Sequence, residues 1–204
     1  MIAGPNGSGK STLWNYLRSE FSFPLGFCLN PDEIDHELEH SGQIDFGSWG
    51  LHVEPEELHK FMRGHPLAGR LADNSIMFQG NRLAVGPGVR RGYLAAILCD
   101  FMRQRWVAGG QSFTFETVMS NEDKVNLLKE ARRRGFRAYL YYICTNSLLI
   151  NRERVAVRVS QGGHDVPQEK IGVRYERSLS LLSLRKDDLY AFRRICPGGL
   201  SPTS

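Results

Sequence analysis

Cysteine is scarce in this chain. The four present, Cys28, Cys99, Cys144 and Cys196, lie far apart with no Cys-x-x-Cys pair, which argues against a zinc centre and against a disulfide framework. Cys28 and Cys144 fall in apolar stretches and read as ordinary core residues, and the set suits a reducing cytoplasm. Long apolar runs are missing as well. The longest, such as residues 138–144, fall far short of the ~20 residues of a membrane span. There is no internal repeat, no low-complexity tract and no aromatic–basic repeat of the kind that binds single strands. Charge of one sign is not in large excess: the net charge is +4 over 204 residues. The surplus is local, at Arg132, Arg133 and Arg134 and again at Arg152, Arg154 and Arg158. Such patches suit phosphorylated small molecules as well as nucleic acid, but do not demand the deep basic channel of a nucleic-acid 5′-kinase.

What is present points to one α/β domain, since 204 residues at 41% hydrophobic content can bury a packed core. Gly4-Pro5-Asn6-Gly7-Ser8-Gly9-Lys10-Ser11 fits the phosphate-binding loop pattern G-x-x-x-x-G-K-[ST]. Glycines let the backbone curl so that successive N–H groups point at phosphate oxygens. Lys10 supplies a positive charge for the β- and γ-phosphates, and the Ser11 hydroxyl is expected to help hold Mg²⁺. The next segment reads as a helix with Leu13, Tyr16 and Leu17 on one face, its N-terminus adding partial positive charge to the anion site. Only Met1, Ile2 and Ala3 precede Gly4, so either the strand before the loop is very short or the chain start is cut back. As written, such a start leaves no room for a signal peptide.

Further along, residues 25–29 form a short apolar run whose end presents Asp32, followed by a helix that opens on Asp32 and Glu33. Residues 41–88 show no strong period, beyond a helix over 54–62, and read as an insertion near the substrate side. A helix over 93–107, with Leu94, Ile97, Leu98 and Met102 apolar, is stopped by Gly109-Gly110. Residues 112–116 alternate and end on Glu116, as a strand entering the site would. Asn121 is expected to cap a helix through Arg134, and residues 137–143 to form another strand. The apolar residues 189–192 are a candidate last strand. This alternation predicts a parallel sheet with helices on both faces.

In open α/β sheets, ligands bind beyond the carboxyl ends of the strands. The loop from Gly4, Asp32 and Glu116 all fall there. Phosphoryl transfer needs a carboxylate to accept the proton of the attacking hydroxyl, and Asp32 is the choice, unless it is merely a helix-capping acid. Glu116 could orient a substrate hydroxyl or bind the metal through water. Arg154 and Arg158 are four apart, hence on one helix face. A basic helical segment over 149–167, with Gly162-Gly163 as its turn, reads as a lid that neutralises charge on the transferring group; a solvated arginine face is the plain alternative. His164 could touch substrate or phosphate, or serve a turn. Arg174 and Arg177 lie one turn apart, and one of them is expected to be structural.

Together Gly4-Pro5-Asn6-Gly7-Ser8-Gly9-Lys10-Ser11-Thr12, Asn30-Pro31-Asp32-Glu33-Ile34, Phe115-Glu116-Thr117-Val118-Met119-Ser120, the Arg154/Arg158 pair, Gly162-Gly163-His164-Asp165-Val166-Pro167 and Arg174-Tyr175-Glu176-Arg177-Ser178 resemble the zeta-toxin-like P-loop kinases. The likeness is to the small bacterial branch labelled predicted ABC-type ATPase, and it spans roughly residues 2–182. It implies a three-layer P-loop NTPase fold of the kinase type, with a central parallel sheet flanked by helices, as a single domain. It also implies ATP- or GTP-dependent, Mg²⁺-dependent phosphorylation of a sugar hydroxyl on a nucleotide sugar such as UDP-N-acetylglucosamine, in the cytoplasm, with an antitoxin protein as a possible partner. By motif position Gly4, Asn6, Gly7, Ser8, Gly9, Lys10, Ser11 and Thr12 would hold the nucleotide and Asp32 would be the base. Glu116, Thr117, His164 and Arg177 would meet substrate, with Arg154 and Arg158 as lid arginines beside Arg152. Neither a membrane nor a nucleic-acid partner is expected. Three alternatives stay open: a regulatory ATPase, a nucleic-acid kinase, and a nucleotide-binding module without catalysis. An ABC-type ATPase would show a Leu-Ser-Gly-Gly-Gln signature and an apolar run ending in Asp-Glu, and neither occurs.

Overall fold

β-Branched and aromatic residues dominate the segments that form buried strands, and helices follow them, as alternation requires for parallel pairing. The computed structural model describes residues 1–20, 26–71, 75–162, 166–183 and 191–195. The chain divides into two units, one of Met1–Pro24 with Phe115–Ser204 and one of Leu25–Thr114.

The first unit is an α/β arrangement. β1 (Ile2–Ala3) is followed by α1 (Lys10–Glu20); β6 (Phe113–Thr117), which belongs to this unit from Phe115 on, leads to α5 (Asp123–Arg133), and β7 (Tyr139–Ile143) to α6 (Leu148–Ser160), α7 (Gln168–Ser183) and β8 (Ala191–Ile195). Four strands run parallel in the order β6-β1-β7-β8, flanked by these helices. β1 is central: Ile2 stands opposite Glu116 on one side and Tyr141 on the other, and Ala3 opposite Thr117 and Tyr142. Both β1 residues are buried, Ala3 completely. The ladder reaches past the short strand at each end, through Tyr141 N–H to Met1 O at 3.0 Å and Gly4 N–H to Thr117 O at 3.2 Å.

Two local expectations differ. Tyr16 of α1 is 54% exposed while Leu13 and Leu17 are half-buried; a phenol tolerates water where a leucine does not. Asn121 does not cap α5. The helix opens at Asp123 with Glu122 at the N-cap, and no side chain closes that cap.

The second unit holds β2 (Phe27–Leu29), α2 (Pro31–Ser41), α3 (Pro55–Gly64) and α4 (Arg91–Gly109). α4 is buried around much of its circumference, from Leu94 to Val107. Trp106 is fully buried; it stacks on Phe27 at 5.3 Å and donates its indole N–H to Trp49 O at 3.1 Å. The insertion expected at 41–88 folds as an antiparallel sheet of β3 (Gln43–Asp45), β4 (Ile76–Gln79) and β5 (Arg82–Val85), in the order β3-β5-β4. Gly80 and Asn81 make the two-residue turn between β4 and β5, with Gly80 at φ 57°. Asn81 then pins the hairpin, donating to Leu51 O at 2.7 Å and accepting from Val53 N–H at 2.9 Å.

Asp45 ends β3 and accepts from Gly47 N–H at 2.9 Å and from Arg82 Nε at 3.0 Å. The Gly47 N–H first, and then Arg82, hold its carboxyl below the usual range. Glu37 on α2 is shifted the other way, pushed up by burial and by the Asp45 charge. An acid whose folded pKa is raised resists ionisation, so ionised Glu37 lowers stability at neutral pH and stops doing so once pH falls below the unfolded carboxylate range. Glu37→Gln is therefore expected to unfold at a higher temperature than the parent near about pH 7, with the gain vanishing near about pH 3. Thermal unfolding at the two pH values checks this, and a variant less stable at neutral pH would contradict it.

Candidate functional site

The glycine-rich loop leaves β1 at Gly4 and enters α1 at Lys10. Its course is set by close passage. A Cβ on Gly4 (φ 150°) would lie 2.0 Å from Ile143 O at the end of β7, and one on Gly7 (φ 75°) would lie 2.4 Å from Asn151 O in α6. Neither position admits a side chain, and Gly7 also needs a left-handed backbone. Inside the loop Ser8 N–H donates to Pro5 O at 3.2 Å, and Leu13 N–H to Gly9 O at 3.1 Å begins the α1 ladder.

Lys10 is 8% exposed and folds back over the loop, its Nζ donating to Pro5 O at 3.0 Å. Its ammonium also lies 3.9 Å from Glu116 Oε1. Ser11 Oγ stands 3.3 Å and 3.2 Å from the two Glu116 carboxylate oxygens. Parallel pairing of β6 with β1 produces this meeting, because Glu116 stands opposite Ile2 and its side chain reaches forward to the first turn of α1. The result is a lysine, a hydroxyl and a carboxylate gathered at the carboxyl ends of adjacent parallel strands. Thr12 is exposed on α1.

The loop also contains two buried polar atoms, Asn6 Oδ1 and Ser8 Oγ, that have no hydrogen-bond partner among the described residues. On the β7 side it meets Asn151, which is fully buried. Asn151 Nδ2 donates to Asn6 O, and Thr145 Oγ1 hydrogen-bonds Asn151 Oδ1. Tyr175 Oη on α7 donates to Thr145 O at 3.2 Å.

The segment after Glu116 is held separately. Thr117 Oγ1 accepts from Met119 N–H at 3.1 Å. Met119 is buried with φ 53°, a left-handed conformation uncommon for a residue other than glycine. Ser178 on α7, fully buried, donates to Val118 O at 2.7 Å and lies 2.9 Å from Tyr142 Oη.

The remaining candidates lie on other elements. Asp32 belongs to the second unit. It is exposed in the first turn of α2, where its backbone N–H donates to the N-cap residue Asn30 at 3.0 Å. The cap is Asn30, so Asp32 is not itself the capping side chain. Arg154 and Arg158 are both exposed on α6. Arg152 is half-buried and points toward α7: a Cβ on Gly172 would lie 3.5 Å from its Nη2. Of the α7 pair, Arg174 is half-buried and Arg177 exposed. His164 lies outside the described residues. Asn151, Thr145 and Ser178 were not singled out from the sequence as site residues. Asn151 had a signal: it shares a helix face with Leu148 and Val155, which pack against the Val166–Ile171 cluster, so a polar side chain there must point inward.

No family model matches the chain. A curated protein of Haemophilus influenzae, described as uncharacterized, is 26% identical over 172 residues, which are 84% of this chain and 88% of that protein.

Ser178→Ala removes a buried donor and leaves Val118 O and the Tyr142 hydroxyl short of a partner. The expected loss is about 1–3 kcal/mol of unfolding free energy, read as a lower urea midpoint at unchanged m-value. A midpoint equal to the parent's would show that the Met119 turn holds without Ser178.

Proposed function

We propose that the chain is a P-loop phosphotransferase of the zeta-toxin type, which moves the γ-phosphoryl group of ATP or GTP to a hydroxyl of a nucleotide sugar such as UDP-N-acetylglucosamine. The observation that supports it best is the Lys10, Ser11 and Glu116 constellation at the end of the glycine-rich loop. A hydroxyl and a carboxylate at one point are hard oxygen donors of the kind that hold Mg²⁺ beside nucleotide phosphates. Of the two roles open to Glu116, its contact with Ser11 favours the metal over the acceptor hydroxyl. Magnesium, when bound, would supply charge neutralisation for the transferring phosphoryl group.

The chain's own residues divide the remaining work. Backbone N–H groups of the loop and the N-terminus of α1 cradle phosphate oxygens. Lys10 exchanges its contact with Pro5 O for phosphate. Asp32, assigned by motif position, accepts the proton of the attacking hydroxyl. Arg154 and Arg158 add positive charge from α6. Thr117 and Arg177 remain substrate-contact candidates on the motif resemblance, and an antitoxin partner and a cytoplasmic setting come from the same source.

Two expected outcomes test the reading. Mass spectrometry of UDP-N-acetylglucosamine incubated with the protein, Mg²⁺ and ATP is expected to show the gain of one phosphate. Asp32→Asn should lower kcat by about 10²–10⁴-fold while nucleotide still binds, whereas Lys10→Ala should lose nucleotide binding itself. Full activity in Asp32→Asn would remove Asp32 as the base, and bound nucleotide with no transfer to any sugar hydroxyl would leave a binding module in place of a kinase. Glu116→Gln should raise the Mg²⁺ concentration needed for half-maximal nucleotide binding by about tenfold or more; an unchanged Mg²⁺ requirement would exclude Glu116 from the metal site.

A further inference from the structure

We infer that Asn151 links the glycine-rich loop to the basic helix α6, so that phosphate binding at the loop and ordering of α6 favour one another. The inference rests on the reading of the loop as a nucleotide site, and it goes beyond it by assigning a regulatory coupling to one residue.

A buried side-chain amide avoids an uncompensated desolvation cost only when both its NH₂ and its oxygen are bonded. Asn151 is fully buried and bonds at both ends, with its NH₂ on Asn6 O and its oxygen on the Thr145 hydroxyl. Its backbone makes a second, independent contact. A Cβ on Gly7 would lie 2.4 Å from Asn151 O and 3.1 Å from both Asn151 C and Cα. One residue of α6 therefore touches two successive loop positions, one through its side chain and the other through its main chain. The loop cannot change its path at Asn6 and Gly7 without disturbing Asn151.

Asn151 also stands where a disturbance would reach the helix. It is the fourth residue of α6, one turn after the capping Ser147, whose Oγ accepts from Leu149 N–H at 3.1 Å. One turn later Val155 fixes α6 against Val166 and Ile171. Counted from Asn151, Arg154 and Arg158 lie about 5 Å and 10 Å along the axis, both exposed. A ligand that holds the loop in this shape holds Asn151, and through it the start of the helix that carries the arginines. Linkage is reciprocal, so an ordered α6 must raise affinity at the loop by the same factor.

The experiment compares parent and Asn151→Ala in Mg-ATP affinity, by calorimetry, and in hydrogen exchange of amides 153–160 with and without saturating Mg-ATP. In the parent, Mg-ATP is expected to slow exchange over 153–160. In Asn151→Ala the dissociation constant should rise about tenfold or more, and saturating nucleotide should no longer protect 153–160. Thr145→Val, which keeps Asn151 but removes the hydroxyl on its oxygen, serves where Asn151→Ala does not fold; it should shift both readouts the same way. A merely structural Asn151 would lower the unfolding midpoint yet leave nucleotide-dependent protection intact, and that result overturns the coupling. So does a parent that binds Mg-ATP without protecting 153–160. A parent that binds no Mg-ATP at all overturns the nucleotide reading first and the coupling with it.

Discussion

The arrangement of the first unit depends on one steric constraint: the backbone between β1 and α1 passes within touching distance of two other backbones. Gly4 runs against the last carbonyl of β7, and Gly7 against the main chain of Asn151. Any side chain at either point would push the loop off its course, because close-packed backbone cannot yield by an ångström without breaking its own hydrogen bonds. This constraint acts together with the strand order. With β1 between β6 and β7, the loop emerges with Glu116 on one flank and the Thr145–Asn151 pair on the other. The Ser11–Glu116 contact follows from parallel register, and the Asn6–Asn151 contact from the entry of α6. A kinase-type reading draws on the first flank, and coupling to the basic helix on the second.

Much of this was legible because it is local. The glycine spacing marks the loop, Gly109-Gly110 marks the end of α4, and apolar runs mark β2 and β7, since each depends on a few neighbouring residues. The small antiparallel sheet was not read from the sequence, although Gly80-Asn81 is a two-residue hairpin turn between Ile76–Gln79 and Arg82–Val85. Strands of three or four residues are too short for alternation to rise above chance, and β3 finds its partner across some forty residues of chain. Tyr16 and Asn121 misled for a related reason: helical spacing and cap preference state what a residue can do, while the surrounding structure decides whether it does it. Ser178 was hidden most deeply. A serine in a helix carries no mark of its partner, and that partner, Val118 O, lies sixty residues earlier.

Polar burial shows where the fold accepts local cost. Among the described residues, the buried polar and charged side chains are Ser8, Lys10, Arg103, Thr145, Asn151 and Ser178. Arg103 belongs to α4 of the second unit. The others lie in the glycine-rich loop, follow a parallel strand, or bond to the segment that follows one. Burying a polar group carries a desolvation cost that its hydrogen bonds must offset. Ser8 Oγ and Asn6 Oδ1 are buried without even that compensation among the described residues. A fold selected for stability alone would distribute such groups or avoid them. Their concentration at the carboxyl ends of β1, β6 and β7 is the pattern expected where local rules yield to a binding site, and it singles out this end of the first unit on grounds independent of any sequence motif.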